Sequence, residues 1–299
     1  MKLGAILPLF NDRPRRALDA AREAESLGYD GVFVFDHFFP PGAPSDQPAL
    51  EGFTMLAAVA EATERIRIGM LVTRASLRPP GLIAKMASVI DAQSGGRLIL
   101  GMGTGDPIDE PEHQAFGFPT LGVEDRRAYL REAIEALKAL FEGRTYEGGV
   151  HVPKLTGPLL PPPSQAGGPP IWVGALAEPV VRIAAAVADG WNGWGLAPER
   201  FAKKVAILRE ACAESGRDVE PTWAGIVLVG EDEADAERLR EERLRKGMAE
   251  QAWTGSADQL VELLADLRDA GATWAIMVPA GPGDRRRLIG ERVLPALRD

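Results

Sequence analysis

Cysteine is nearly absent. Cys212 is the only one in 299 residues, so no internal disulfide can form and a reducing compartment is expected. Histidine is scarce as well: His37, His113 and His151 show no metal-ligand spacing and no H-E-x-x-H occurs, so no metal site is expected. A G-x-S-x-G nucleophile elbow and a P-loop are missing too. No apolar run approaches the ~18 residues that a membrane helix needs. "MKLGAILPLF" is apolar but has no small-residue cleavage site and runs straight into "NDRPRR", so it reads as a first strand rather than a signal peptide. Positive charge is in deficit, 34 Lys and Arg against 43 Asp and Glu, for a formal net charge of −9. That balance argues against a nucleic-acid surface and against a polybasic membrane patch. The expectation is a cytoplasmic protein acting on a small-molecule substrate.

What the chain does have is alternation. It is 45% apolar and 26% charged, ordinary globular composition. At this length roughly 75% of the unfolded surface can be buried in one domain. Strand-like segments fall at Leu3 to Leu7, Gly31 to Phe35, Ile66 to Val72, Arg97 to Gly101, "IWVGA", "GWNGWG", "TWAGIVLVG" and "TWAIMVP". Helical spacing separates them. Ala17, Ala21, Ala24 and Leu27 share one face, closed by Gly28; Leu130, Ile134, Leu137 and Phe141 share another. A charged helix is expected from Asp232 to about Met248, and the next helix has Ser256 as its N-cap. Gly103 to Gly122 is a Gly/Pro-rich excursion. Gly143 to Pro170, with "GPLLPPPSQAGGPP", is an extended surface loop. Eight strands, each followed by at least one helix and without a composition break, predict a single α/β domain over residues 1–299. The fold is a (β/α)8 TIM barrel with insertions after strands 4 and 7. A doubly wound sheet is the runner-up, because pattern alone does not count sheet edges.

The strand ends carry the chemistry. In "GYDGVFVFDHFFPP" a buried strand finishes on Asp36 and His37, groups that are costly to bury unpaired. In a barrel they stand at the mouth, where active sites are assembled; the plain alternative is a turn-capping aspartate and an exposed histidine. After strand four, Gly101, Gly103 and Gly105 precede Asp106. The run misses the dinucleotide template by one residue, leaving either a turn or a close backbone approach to a flat ligand. "VGALAEP" leads into a helix start suited to phosphate, provided that Glu178 turns outward. Trp191 and Trp194 in "WNGWG" are either core packing or a wall for a planar ring. Asp109, Glu110 and Glu112 read as a solvated acidic loop, with a paired-carboxylate hydrolase as the other reading.

Taken together, these pieces resemble the bacterial luciferase-like superfamily of flavin and deazaflavin oxidoreductases, and most of all its coenzyme F420-dependent branch. The resemblance runs through "GYDGVFVFDHF", "IRIGMLVT", "LIAKMASVIDAQSGGRLILGMGTGD", "PPIWVGA" with "VADGW", and "PAGPGDRRR" with "LPAL". It implies that Asp36 contacts the cofactor ring and that His37 lies beside the hydride-exchanging carbon as a base or charge stabiliser. It assigns proton transfer to Asp106. It implies a cis non-proline peptide at Met70-Leu71 or Leu71-Val72 backing the ring, with Thr73 adding a polar contact and Gly103 and Gly105 letting the backbone approach. Backbone around Ala175, Leu176 and Ala177 would hold the cofactor phosphate, with Gly193 and Trp194 beside it. Three positions depart from the sugar-phosphate dehydrogenases: Pro41 replaces a tryptophan, Asp106 a glutamate and Ala197 a lysine, which counts against glucose-6-phosphate. The implied reaction passes hydride between F420 and a small alcohol, aldehyde or activated alkene, in a homodimer. The alternatives are an FMN-dependent monooxygenase with a partner reductase, and a non-catalytic flavin-binding protein, since fold does not fix function. Substrate identity lies in the loops Phe38 to Pro48 and Gly143 to Gly168.

Overall fold

Strands buried on both faces are expected to be largely apolar, and most of those of this chain are. In the computed structural model, which describes residues 1–42, 46–245, 252–281 and 285–298, they are β1 (Lys2–Ile6), β2 (Gly31–Val34), β3 (Arg67–Arg74), β4 (Leu98–Gly103), β5 (Ile171–Gly174), β6 (Gly190–Trp194), β7 (Glu220–Gly230), β8 (Trp253–Ser256) and β9 (Trp274–Pro279). Every pairing is parallel. The order β6-β5-β4-β3-β2-β1-β9-β7, closed by β6 against β7, makes an eight-stranded barrel and excludes the open doubly wound sheet.

The ninth strand is a difference from the sequence reading, with a simple cause. β7 is 11 residues long. Its first part pairs with β6 and β9, and its last residues, Val227 to Gly230, overshoot the ring and take β8 as a partner. Four residues, "WTGS", are too few to show a period. With α8 (Glu233–Arg245), β8 fills the stretch between β7 and α9 (Ala257–Asp269). The end of the expected charged helix, from residue 246 to about Met248, lies outside the described residues.

The remaining helices are α1 (Pro14–Leu27), α2 (Gly52–Ala62), α3 (Pro80–Gln93), α4 (Glu110–Phe116), α5 (Val123–Phe141), α6 (Glu178–Val187) and α7 (Pro198–Ser215), and the C-terminal stretch is helical with a π-turn at Ile289–Val293. Their limits follow the local chemistry. α1 buries Ala17, Ala20, Ala21 and Ala24 and stops at Gly28, whose φ of 86° only glycine adopts freely. α9 begins with a capping box: the Gln259 N–H donates to Ser256 Oγ, and the Ser256 N–H donates to Gln259 Oε1. The barrel lumen is plugged by Phe33, Trp172 and Trp274, with ring centroids 5.6–5.8 Å apart, together with Ile6, Leu71, Ile99 and Ile276. A second, larger core joins the outer strand faces to the helices.

Two carboxylates tie loops to this frame. Glu25 of α1 accepts the N–H groups of Glu64, Arg65 and Ile66 at 3.0, 2.7 and 2.9 Å. Glu132 of α5 accepts those of Val150, His151 and Val152 at 3.0, 2.8 and 2.8 Å, which fastens the proline-rich loop after α5. Burial alone would raise both carboxyls, but the gathered N–H donors bring each below its ordinary 4.5. A carboxyl lowered in the folded state contributes stability that is complete above its unfolded pKa and lost as pH falls through the folded one. The melting temperature is therefore expected to stay level down to about pH 5 and then to fall. The double variant Glu25→Gln, Glu132→Gln should melt earlier at neutral pH and show a shallower acid slope by circular dichroism. Parallel curves for the two proteins would refute the linkage.

Candidate active site

β2 ends at Val34, and Phe35, Asp36 and His37 follow it onto the carboxyl rim of the barrel. There the tips of β2 and β3 meet. Thr73 Oγ1 donates to Asp36 Oδ2 at 2.5 Å. Arg78, between β3 and α3, clamps the same carboxylate through Nη1 and Nη2 at 2.6 and 2.9 Å and also reaches Glu51 at 2.7 Å. Asp36 is only 2% exposed; it lies beneath the rim rather than open on it, because a guanidinium and a hydroxyl satisfy its oxygens. Burial works against the Arg78 charge, and Asp36 and Glu51 more than offset it, holding the guanidinium pKa above its usual value.

His37 stays at the rim, its side chain 21% exposed. Its Nδ1 is 2.9 Å from Glu112 Oε1 on α4. The other Glu112 oxygen accepts from Arg74 Nη2 at 2.5 Å and from the Phe38 N–H at 3.3 Å. Asp109 Oδ1 completes the cluster, 3.8 Å from His37 Nδ1 and 3.6 Å from Arg74 Nη1. Burial pushes the Glu112 carboxyl up; the His37 hydrogen bond and charge, with Arg74, pull it further down, below the ordinary glutamate value.

The solvated acidic loop read from the sequence is thus corrected. Glu110 is exposed, but Asp109 and Glu112 are 5% and 1% exposed. Pro107 and Pro111 open two successive helical turns, and a spacing of three residues puts Asp109 and Glu112 on one face. Asp106, by contrast, is exposed. Its N–H donates to Asp109 Oδ2 at 2.7 Å, and it borders a cavity of about 150 Å³ with Thr104, His113 and Arg126. Among the described residues no hydrogen bond joins Asp106 to His37.

The glycine run has a packing role. The register of β3 on β4 slips between Met70 and Thr73, and the Leu71-Val72 peptide is cis, one of the two positions expected. Met70 packs outward against the helices, and Leu71 packs into the barrel lumen. A Cβ on Gly101 would stand 2.2 Å from the Met70 carbonyl oxygen, and one on Gly103 would stand 2.9 Å from Val72 Cγ2. The bulge therefore admits only glycine at Gly101. Gly105, at φ 76°, turns the chain out toward Asp106.

Aromatic rings line the rim beside His37. Phe10 stacks on Phe35 at 5.8 Å, and Phe35 meets Trp194 edge-on at 5.8 Å and His37 at 6.2 Å. The two tryptophans of "WNGWG" divide the roles left open by the sequence. Trp191 is buried against Phe201 and donates its indole N–H to Ala175 O at 2.9 Å, whereas Trp194 belongs to the rim. Close by Gly193, Ala175 and Leu176 lead to Ala177, the N-cap of α6, which makes no side-chain cap. Pro179 has no N–H and the Val180 N–H already donates to the Ala177 carbonyl oxygen at 3.0 Å, so the Glu178 N–H is the first-turn donor left for an anion. Glu178 does turn aside, pairing with Arg182 at 3.1 Å. Among the described residues, no group of three or more His, Cys, Asp or Glu is placed to hold a metal. A larger cavity of about 710 Å³, between the start of α7 and β8–α9, has neither His37 nor Glu112 in its wall.

Sequence reasoning missed Arg74, Arg78 and Phe10, and it read Asp109 and Glu112 as solvated rather than paired. The available signal was spacing. Arg74 and Arg78 close one strand and the loop after it, and Asp109 and Glu112 are three apart, about one helical turn, with opposite charge on the two segments.

Residues 1–253 match the profile of the luciferase-like monooxygenases. The F420-dependent glucose-6-phosphate dehydrogenase of Microbacterium testaceum (strain StLB037) is 28% identical, across 95% of this chain and 94% of that protein. Among solved structures, an F420-dependent secondary alcohol dehydrogenase in complex with an F420–acetone adduct aligns at a TM-score of 0.86 and 20% identity, covering 100% of this chain and 99% of that one. The coenzyme F420-dependent tetrahydromethanopterin reductase of Methanopyrus kandleri aligns at 0.81 and 22%, covering 98% of each. A monooxygenase from Streptomyces bottropensis aligns at 0.80 and 22%, covering 99% and 100%. At these identities the structural likeness establishes the fold, while the profile spans most of the sequence: the chain belongs to the luciferase-like monooxygenase family and is an oxidoreductase of that kind.

Proposed function

We propose that the protein is a coenzyme F420-dependent oxidoreductase that moves hydride between the deazaflavin and a small organic substrate, an alcohol–aldehyde pair or an activated alkene. The observation that carries this reading is His37 at the rim, with one ring nitrogen held by a buried carboxylate and the other left for a reacting molecule. The chain also fits the group itself. The start of α6, reached through the small residues Ala175 and Ala177, with the Glu178 side chain paired away, would offer a phosphate the Glu178 N–H and the positive end of the helix. The backbone of the bulge between Met70 and Thr73, with Gly103 and Gly105, would back a planar ring; Thr73, braced by Asp36 and Arg78, would add a polar contact, and Trp194 with Gly193 would stand beside it. When bound, the deazaflavin supplies the hydride chemistry. His37 holds or receives the proton that accompanies it, and Asp106, open to solvent, relays protons between the site and water. A net charge of −9 gives an anionic cofactor no general attraction, so binding rests on these local donors.

The relatives named above support F420, and the family's own description favours a second reading, an FMN-dependent monooxygenase. Ala197, where sugar-phosphate dehydrogenases of the F420 branch carry a lysine, argues against a phosphorylated sugar as substrate. The protein is expected to act as a homodimer. Titrating the full chain with F420 and with FMN by fluorescence quenching separates the cofactors. Tight F420 binding, with turnover of a simple alcohol or alkene panel, is the expected result. FMN binding with F420 excluded would overturn it in favour of the monooxygenase, and F420 binding without any turnover would indicate a carrier.

A further inference from the structure

Glu112 has no role in the reading above, yet at 1% exposure it is the most deeply buried acid of the rim cluster. A buried ionised carboxylate persists only where donors take its oxygens and a cation balances it. Glu112 has three donors on its two oxygens: His37 Nδ1, the Phe38 N–H and Arg74 Nη2. Arg74 is itself fixed, since the same Nη2 donates to the Asp36 carbonyl oxygen at 3.1 Å. The charged and titratable groups facing His37 are thus Glu112 and Asp109 from the α4 turn and Arg74 from β3. An ionised carboxylate is an acceptor only, so a proton must sit on Nδ1, which leaves Nε2 as the nitrogen for a reacting molecule. A hydrogen bond at one imidazole nitrogen sets the tautomer, and hence the chemistry, of the other.

We propose that Glu112 is a positioning residue: its carboxylate, held by Arg74, keeps His37 in the Nδ1–H form and sets the ring orientation that presents Nε2 to the reacting molecule. This rests on the reading of His37 as the proton-handling group. In Glu112→Gln the amide offers Nδ1 a donor as readily as an acceptor, and the constraint on the ring is lost.

The test uses the full chain labelled with nitrogen-15 histidine. Two-bond nitrogen–proton correlation distinguishes Nδ1–H from Nε2–H, and His37 is identified among the three histidines by the signals that His37→Ala removes. The expected result is a proton on Nδ1 of His37 in the native chain and a mixed or Nε2–H pattern in Glu112→Gln. With it should come a kcat lower by about 10²-fold at nearly unchanged KM, the scale of a misplaced reacting group. Glu112→Asp, which keeps the charge, should recover part of the nitrogen pattern. Glu110→Gln, exposed on the same helix and bonded to Gln114, should change neither readout. A native His37 protonated on Nε2 alone overturns the proposal without any variant, so it stays decidable if Glu112→Gln fails to fold. An unchanged pattern in Glu112→Gln overturns it as well. Failure of the native chain to bind F420 would instead remove the functional reading, while the nitrogen pattern still decides the role of Glu112.

Discussion

His37→Ala is expected to lower kcat by about 10²–10⁴-fold, the range over which a positioned proton-transfer group acts, with little change in F420 affinity. The two readouts part because the imidazole and the anion-binding end belong to different elements. His37 follows β2, whereas the start of α6 is the place proposed for the cofactor phosphate. The fold should survive the change. Glu112 keeps Arg74 Nη2 and the Phe38 N–H, so its charge remains balanced, and the ring removed was already 21% exposed. Steady-state kinetics with F420 absorbance as the readout, paired with fluorescence-quench titration, check the prediction. Turnover at the native level would remove His37 from the chemistry, and a matching collapse of affinity would recast it as a binding residue.

The largest expected effect on stability is that of Arg78→Ala. Among the described residues the guanidinium is the charged partner of the Asp36 carboxylate, which is 2% exposed; Thr73 supplies one further, uncharged, hydrogen bond. Removing one member of a buried ion pair typically costs about 3–5 kcal/mol, because the other charge is left uncompensated. The partly exposed Glu51 loses a partner too, but water can replace it. The loss should be visible as a lower urea midpoint at unchanged m-value. The double variant Arg78→Met, Asp36→Asn should recover much of it, since the charge that causes the penalty is gone. A single-variant loss under about 1 kcal/mol, the worth of an exposed pair, would mean that water reaches Asp36.

How much of this was legible beforehand differs from element to element. Ser256 as an N-cap, Gly28 as a helix stop and the apolar strands could be read locally, because each depends on residues within a turn of one another. β8 could not: four residues carry no period, and the strand exists because β7 is long enough to pass the ring and offer an unpaired edge. At the site, Asp36 and His37 were recognisable as an acid and an imidazole at a strand end. Which atoms they meet was not, since Arg78 is 42 residues from Asp36 and Glu112 is 75 from His37. The acidic trio shows the same limit from the other side. Three carboxylates on a polar, proline-rich segment look solvated until Arg74 and His37 are brought beneath two of them.

The amino-acid order by itself determined the alternation of strands and helices, hence a parallel α/β domain, and the set of strand ends at which polar groups collect, because both follow from short-range periodicity and from the costs of burying backbone and charge. Closure of the ring, the pairing of Asp36 with Arg78 and Thr73, and the coupling of His37 to Glu112 were decided only by the tertiary structure. Those contacts join segments far apart in the chain, and their electrostatics depend on distance and burial, which no local pattern encodes.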